Sequence, residues 1–317
     1  MSLPHSEAPV IIIVGPTAVG KTAFAISLAQ RFQGEIISAD SRYLYRGMDI
    51  GTAKPTAADL AKAPHHMVDI ADPGDTFSLP QYLEETFALM HVIQARERIP
   101  IIVGGTGQYT RALIEGWQIP EIKPNESLRK WLQDWGDEIG ALALHQKLGL
   151  LDSEAANMID ASNLRRTIRA LEVVFSTGKK FSELRIKDGP AYRYHVIGLT
   201  MDRGELYQRV DERIDLMLVQ GFEEEVRTLL AKGYTAEYPA MSAIGYREMI
   251  QYLQGEIDLE AAKVLMRKNT RRLIRRQNNW YKATDPHIRW YDIGSDTINQ
   301  VIKDLQAIGV FTRTESA

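Results

Sequence analysis

The chain contains no cysteine, which excludes disulfides, thiolate zinc sites and cysteine nucleophiles together. It also has no apolar run near the roughly 18 residues a membrane helix needs, and Met1 to Pro9 lacks the charged-then-apolar pattern of a secretion signal. A cytosolic protein is expected. Nor is there an excess of charge of one sign: the formal net charge is -3, with 25% of residues charged, which alone argues against a nucleic-acid binder. The distribution, however, is uneven. Between Lys263 and Lys282 stand eight Lys or Arg and no Asp or Glu, a basic face inside a mildly acidic chain. Internal repeats and low-complexity tracts are missing too, and 317 residues with 44% hydrophobic content suffice for a full core plus a second unit.

What is present begins with Gly15-Pro16-Thr17-Ala18-Val19-Gly20-Lys21-Thr22, a complete G-x-x-x-x-G-K-[ST] loop. It follows the apolar run Val10 to Val14 and precedes an alanine-rich amphipathic stretch, the context strand, loop, helix. The glycines let the backbone curl so that successive N–H groups face one anion. Lys21 adds a point charge toward the outer phosphate, and the Thr22 hydroxyl can ligate Mg²⁺ where the helix dipole already favours negative charge. The loop binds a diphosphate or a nucleotide. It does not report what the diphosphate is attached to.

Short apolar runs end at Val14, Ile37 and Val103, with helical patterns between them, such as Leu79 to Arg98 with Leu83, Phe87, Met90 and Ile93. This alternation predicts an α/β fold, a P-loop parallel sheet flanked by crossover helices. From Ile119 to Tyr194 the chain changes character. The proline-bearing stretch Ile119 to Pro124 opens the segment, Lys187-Asp188-Gly189-Pro190 nears its end, and the helical patterns Leu128 to Leu150 and Asn163 to Phe175 lie between. An all-helical domain, 119–194, is therefore expected to be inserted in a core made of 1–118 and 195–317. Tyr194 to Leu199 reads as a strand returning to the sheet, and the remainder as mostly helical.

Several constellations bear on chemistry. Asp40 follows the second strand and sits at the sheet edge where open parallel sheets place ligands. It could hold Mg²⁺ through water, act as a general base on an acceptor, or cap the next turn. A Walker-type ATPase would place an acid after another strand, yet Ile101-Ile102-Val103 runs into Gly104-Gly105-Thr106-Gly107. That argues against nucleoside triphosphate hydrolysis and leaves backbone N–H groups and the Thr106 hydroxyl at the same edge. Arg213, one turn after Arg209, could clamp an outer phosphate, or pair on the surface with Asp211 or Asp215. Arg267, Arg271 and Arg275 are four apart, as are Lys268, Arg272 and Arg276, so a helix would carry two adjacent basic stripes about 13 Å long. Such a strip can follow nucleic-acid phosphates or be merely solvated. Gln277, Asn278, Asn279, Trp280 and Tyr281 follow, amides and aromatic faces of the sort that hold and stack unpaired bases. Arg165, Arg166 and Arg169 form a second basic cluster.

These motifs, together with Ser38-Ala39-Asp40-Ser41, Tyr45 to Pro55, Pro64-His65-His66, Arg169-Ala170-Leu171-Glu172-Val173, Gly221-Phe222-Glu223-Glu224-Glu225-Val226 and Ala243-Ile244-Gly245-Tyr246-Arg247-Glu248, occur in family order. Over nearly its whole length the chain resembles the tRNA dimethylallyltransferases, also called tRNA isopentenyltransferases. The lack of cysteine excludes the zinc finger of eukaryotic relatives, so the resemblance is to the bacterial type. It implies transfer of a dimethylallyl group from dimethylallyl diphosphate to N6 of adenosine 37, in tRNAs reading codons that begin with U. The product would be N6-isopentenyladenosine, made by a monomer in the cytoplasm.

By matched position, Lys21, Thr22 and the loop amides hold the diphosphate with Mg²⁺, Arg213 assists the leaving group, Asp40 is the general base and Thr106 meets the tRNA at the active site. The resemblance further implies tRNA contacts at Asp40, Ser41, Arg42 and Tyr43; at Arg129; at Arg165, Arg166, Thr167, Ile168 and Arg169; at Ser242, Ala243, Ile244, Gly245, Tyr246 and Arg247; and at Arg275, Arg276, Gln277, Asn278, Asn279, Trp280, Tyr281 and Lys282. Gln108 and Asn279 depart from the family pattern, which has an apolar and a hydroxyl residue there. A P-loop kinase or a free-nucleotide isopentenyltransferase would need neither the basic helix nor the insertion. A non-catalytic RNA binder would not need Lys21, Thr22 and Asp40 together.

Overall fold

The computed structural model describes residues 6–119, 122, 124–184, 186–187 and 189–310. Among them eight strands follow in chain order: β1 (Ser6–Val14), β2 (Glu35–Ser38), β3 (His65–His66), β4 (Pro100–Val103), β5 (Trp117–Gln118), β6 (Ile186–Lys187), β7 (Tyr192–Thr200) and β8 (Ile288–Asp292). The chain forms two compact units, Met1–Ile114 with Pro190–Ala317, and Glu115–Gly189. The second unit thus begins and ends a few residues before the bounds expected from the sequence. The proline-bearing opening and the turn at Lys187 to Pro190 fall partly outside the described residues, at 120, 121, 123 and 188.

In the first unit one sheet runs β3-β2-β4-β1-β7-β8, with every pair parallel. Central β1 pairs Ile12 with Ile102 on one side and Val196 on the other, and Val10 to Val14 are all 0% exposed. A strand covered on both faces must be apolar at every position, which is why it reads as a continuous run. The helix Lys21–Phe32 carries the chain from β1 past β4 to β2, whereas β7 lies on β1's other side. The carboxyl ends of β1, β2 and β4 therefore open on one crevice, the place where such sheets bind ligands. The helix Leu259–Trp280, capped by the Asp258 carboxylate on Ala261 N at 2.7 Å, buries Ala262, Met266, Thr270 and Ile274 at every fourth residue, then Gln277. One face of it packs and the rest is left for other work.

Two strands of this sheet escape the sequence reading. β3 is two residues long, and β8 has the exposed or half-exposed Arg289, Trp290, Tyr291 and Asp292 after buried Ile288, so neither edge strand shows a buried run. In the second unit the helices Glu126–Ile139, Ala141–Leu151, Ser153–Met158 and Leu164–Thr177 pack Leu132, Leu144, Leu148, Ala155, Ile168 and Leu171 into a core. The Leu128 to Leu150 pattern breaks at Gly140, whose φ of 87° no continuous helix accommodates. This unit is not all helical, because β5 and β6 pair antiparallel, using backbone groups near its two ends.

Candidate active site

The phosphate loop leaves β1 and ends in the helix Lys21–Phe32, whose N-cap is Gly20. Lys21 Nζ donates back to the carbonyls of Gly15 at 3.0 Å and Pro16 at 2.7 Å. Burial pushes its ammonium down to about 8, against the pull of nearby Asp40 and with a further push from Arg213. A cation so placed gains charge when an anion arrives. Arg213 points into the same place: Nη2 donates to Thr17 Oγ1 at 3.1 Å, and its buried Nε has no hydrogen-bond partner among the described residues. Burial presses its pKa down, opposed by Tyr43 and Asp40. A buried guanidinium with a donor left over suits a polyanion. The surface pairing considered for Arg213 does not occur, since Asp211 and Asp215 are taken by the basic helix.

Asp40 lies two residues beyond β2. Its Oδ1 accepts from Arg42 N at 2.9 Å, so the carboxylate does cap its own turn, through one oxygen only. Thr106 Oγ1 accepts from Ser41 N at 3.0 Å, and Thr106 N donates to Ala39 O at 3.1 Å, binding the glycine turn to the Asp40 turn. This contact explains the glycines. A Cβ on Gly104 would stand 2.1 Å from Ala39 O, one on Gly105 2.3 Å from Gln277 Nε2, and one on Gly107 2.2 Å from Trp280 Cγ. The segment after β2 and the helix Leu259–Trp280 thus close on the turn from two elements.

Two cavities open at this edge. The smaller, about 360 Å³, is lined by Ala18, Gly20, Lys21, Thr22, Tyr43 and Arg209, with apolar Ile26, Ile36 and Val68. The larger, about 950 Å³, is lined by Ser41, Arg42, Thr106, Ser242 to Gly245, Arg247, Arg272, Arg275, Arg276, Gln277, Asn279 and Trp280. They share Thr17, Asp40, Thr52 and Arg213. Burial and neighbouring Asp40 raise the pKa of the Tyr43 phenol, which donates to Ala53 O at 2.7 Å and stays protonated. The family-pattern departures Gln108 and Asn279 are both exposed on the larger cavity.

The two basic stripes separate. Arg267 Nη2 lies 3.0 Å from Asp215, Arg271 Nη2 2.6 Å from Asp211 and Lys263 Nζ 3.0 Å from Asp215, all carboxylates of the helix Arg203–Val219. Arg271 also sits over the Tyr207 ring, 5.0 Å from its centroid. Lys268, Arg272, Arg275 and Arg276 are exposed, without an acidic partner among the described residues. The sequence reading weighed Asp211 and Asp215 only as partners of Arg213, not of this helix.

Other expected contacts are divided by burial. Tyr281 is buried, its hydroxyl 2.8 Å from Thr110 Oγ1, while Asn278 and Lys282 are exposed but line neither cavity. Tyr246 is buried and donates to Glu225 Oε1 at 2.6 Å. Glu225 also accepts from the amides of Asp49, Ile50 and Gly51 at 2.8, 2.7 and 3.1 Å, pinning the loop that brings Thr52 to both cavities. That pin is the reason for the Gly221 to Val226 motif, and sequence reasoning gave Glu225 no role. In the second unit Thr167 and Ile168 face the core, whereas Arg165 and Arg166 are exposed. Arg129 Nε and Arg169 Nη1 bracket buried Glu172 at 2.9 and 2.6 Å. Burial would raise that carboxyl, but Asn125 N, Arg169 and Arg129 hold it below its ordinary value.

A parallel sheet with a phosphate loop, a carboxylate at the next strand end and no acid after β4 defines a P-loop group transferase. Residues 43–284 match the family model described as IPP transferase, and residues 8–69 the one described as isopentenyl transferase. A tRNA dimethylallyltransferase of Thermomicrobium roseum is 46% identical over 289 residues, covering 91% of this chain and 88% of the relative. One from a Roseiflexus species is 48% identical over 274 residues, covering 86% and 90%. Among solved structures, the tRNA isopentenylpyrophosphate transferase of Bacillus halodurans aligns with a TM-score of 0.71 at 39% identity, covering 96% of this chain and 97% of the other. A eukaryotic dimethylallyltransferase acting on tRNA aligns with a TM-score of 0.82 at 26% identity, covering 98% and 82%. The chain belongs to the tRNA dimethylallyltransferase family, enzymes of the IPP transferase type.

Proposed function

We propose that the chain transfers the dimethylallyl group of dimethylallyl diphosphate to N6 of adenosine 37 in tRNAs reading codons that begin with U. The observation that carries this is the meeting of two cavities at Asp40 and Arg213, one lined by the phosphate loop and the other by unpaired arginines. The smaller seats the diphosphate and its allyl chain; the larger takes a nucleotide turned out of the anticodon loop, at a cost of a few kcal/mol. Phosphate contacts of Arg272, Arg275 and Arg276 offset that cost.

An adenine amine is a poor nucleophile, because its lone pair is delocalised into the ring. In the transfer N6 bonds to C1 of the allyl group as the C1–O bond to diphosphate breaks, and the N6 proton goes to the Asp40 carboxylate. Base catalysis of this kind contributes ~10²–10⁴-fold. Negative charge grows on the departing diphosphate, and the loop amides, Lys21 and Arg213 are the groups that stabilise it. Thr106 orders the Asp40 turn from beneath.

The residues fit Mg²⁺. Thr22 and Asp40 both line the smaller cavity at the phosphate loop. Mg²⁺ takes so sparse an oxygen set when water and substrate phosphates complete its shell. Thr22 would hold it, and when bound it supplies charge neutralisation on the diphosphate. No described helix is long and apolar enough to cross a membrane.

The test incubates the protein with unmodified tRNA, labelled dimethylallyl diphosphate and Mg²⁺, then maps the label by nuclease digestion. Label confined to adenosine 37 is expected. Label on free adenine nucleotides instead, or none on RNA, overturns the reading.

A further inference from the structure

The buried stripe of the helix Leu259–Trp280 is small or apolar at Ala262, Met266 and Ile274, with Thr270 between, and then ends in an amide, Gln277, only 5% exposed. Both ends of that amide are used. Oε1 accepts from Thr17 N at 2.8 Å, and Nε2 donates to Gly105 O at 3.1 Å. Among the described residues the first is the only hydrogen bond between residues 15–22 and this helix. Thr17 is gripped from the other side by Arg213, and it lines both cavities. One residue before Gln277 the same helix presents Arg276, which with Arg272 and Arg275 faces the larger cavity.

We propose that Gln277 is a positioning residue that couples RNA binding to the phosphate loop, rather than an RNA contact in its own right. RNA phosphates on the arginine face fix the helix. Through Gln277 the helix then fixes the arm of the loop that carries Thr17, so the diphosphate meets a loop already ordered. The coupling is reciprocal: diphosphate tightens RNA by the same factor. A buried amide held at both ends suits this task, since either bond, once lost, leaves a backbone group of the site unpaired.

The test rests on the tRNA reading above and uses inorganic pyrophosphate with Mg²⁺ and an unmodified anticodon stem-loop RNA as probes. Pyrophosphate affinity is measured by calorimetry with and without saturating RNA, on the wild type, Gln277→Met and Gly105→Ala. The last leaves residue 277 unchanged but sets a Cβ 2.3 Å from Gln277 Nε2, displacing the amide. RNA is expected to tighten pyrophosphate about tenfold in the wild type and less than about twofold in either variant, with RNA affinity in the absence of pyrophosphate within about twofold of wild type. In turnover, KM for the allylic diphosphate rises while kcat holds, a split that general loss of folding does not give. Coupling that persists in both variants overturns the proposal. So does Gln277→Met that loses RNA affinity about tenfold or more with coupling intact, which would make Gln277 a direct contact. RNA that does not bind the wild type sinks the tRNA reading itself, whereas RNA that binds without shifting pyrophosphate sinks only the coupling.

Discussion

Replacing Arg272 and Arg276 together by Ala removes two exposed guanidinium groups from the larger cavity, neither paired with an acid among the described residues. Each phosphate contact releases condensed counterions, which makes the slope of log affinity against log salt about 0.7 per contact for single-stranded RNA and about 0.9 for a duplex. Two lost contacts should therefore flatten the slope by about 1.4 to 1.8. Between 50 and 200 mM salt, a fourfold change, the gap between wild type and variant should shrink by about 7- to 12-fold. The contrast is Arg267 and Arg271, whose charges Asp215 and Asp211 already answer. Changing those two should leave the slope close to that of the wild type, although stability falls. The assay is tRNA affinity across a salt titration for all three proteins, with pyrophosphate affinity as a check that the loop is intact. Equal slopes for wild type and Arg272→Ala/Arg276→Ala would refute the reasoning, since the unpaired stripe would then only solvate the helix.

Asp40→Asn keeps the turn, because an amide oxygen can still accept from Arg42 N, and should lose kcat by about 10²-fold or more while tRNA and pyrophosphate still bind; single-turnover kinetics with near-normal kcat would remove Asp40 as the base. Lys21 is depressed to about 8, so near pH 8.5 much of it is neutral in the free protein, and a bound polyanion favours its charged form. Pyrophosphate binding at that pH should take up protons, read as buffer-dependent heats in calorimetry, and Lys21→Met should abolish the uptake. Glu225→Ala strips the acceptor from three backbone amides and the Tyr246 hydroxyl, and should cost about 2–3 kcal/mol in denaturant unfolding. An unchanged midpoint would mean that water replaces the carboxylate at no cost.

The phosphate loop was legible because its chemistry is local: eight consecutive residues carry the turn, the cation and the hydroxyl. The central strands were legible because burial on both faces leaves no room for polar residues at Ile11 to Val14 or Ile101 to Val103. β3 and β8 were not, since an edge strand such as Ile288 to Asp292 packs on one side only and its pattern matches that of a loop. The division of the arginines depended on which helix face meets the helix Arg203–Val219, a tertiary fact that spacing alone leaves open between two stripes. The same holds for Gln277, whose partners lie 260 and 172 residues away. The insertion's basic cluster, Arg165, Arg166 and Arg169, looked uniform in sequence, yet Arg169, together with Arg129, serves a buried carboxylate and Arg165 and Arg166 do not.

The turn Gly104 to Gly107, pressed at once against Ala39, Gln277 and Trp280, is a wall that cannot be carved. Anyone wishing to redesign the enzyme for a longer or branched prenyl donor gains nothing there, because an added Cβ meets the Ala39 backbone, the Gln277 amide or the Trp280 ring. Room has to come from the apolar lining of the smaller cavity, where Ile26, Ile36 and Val68 present only side-chain carbons. On the function proposed above, donor scope and catalytic power are thus carried by different residues, and one can be altered without the other.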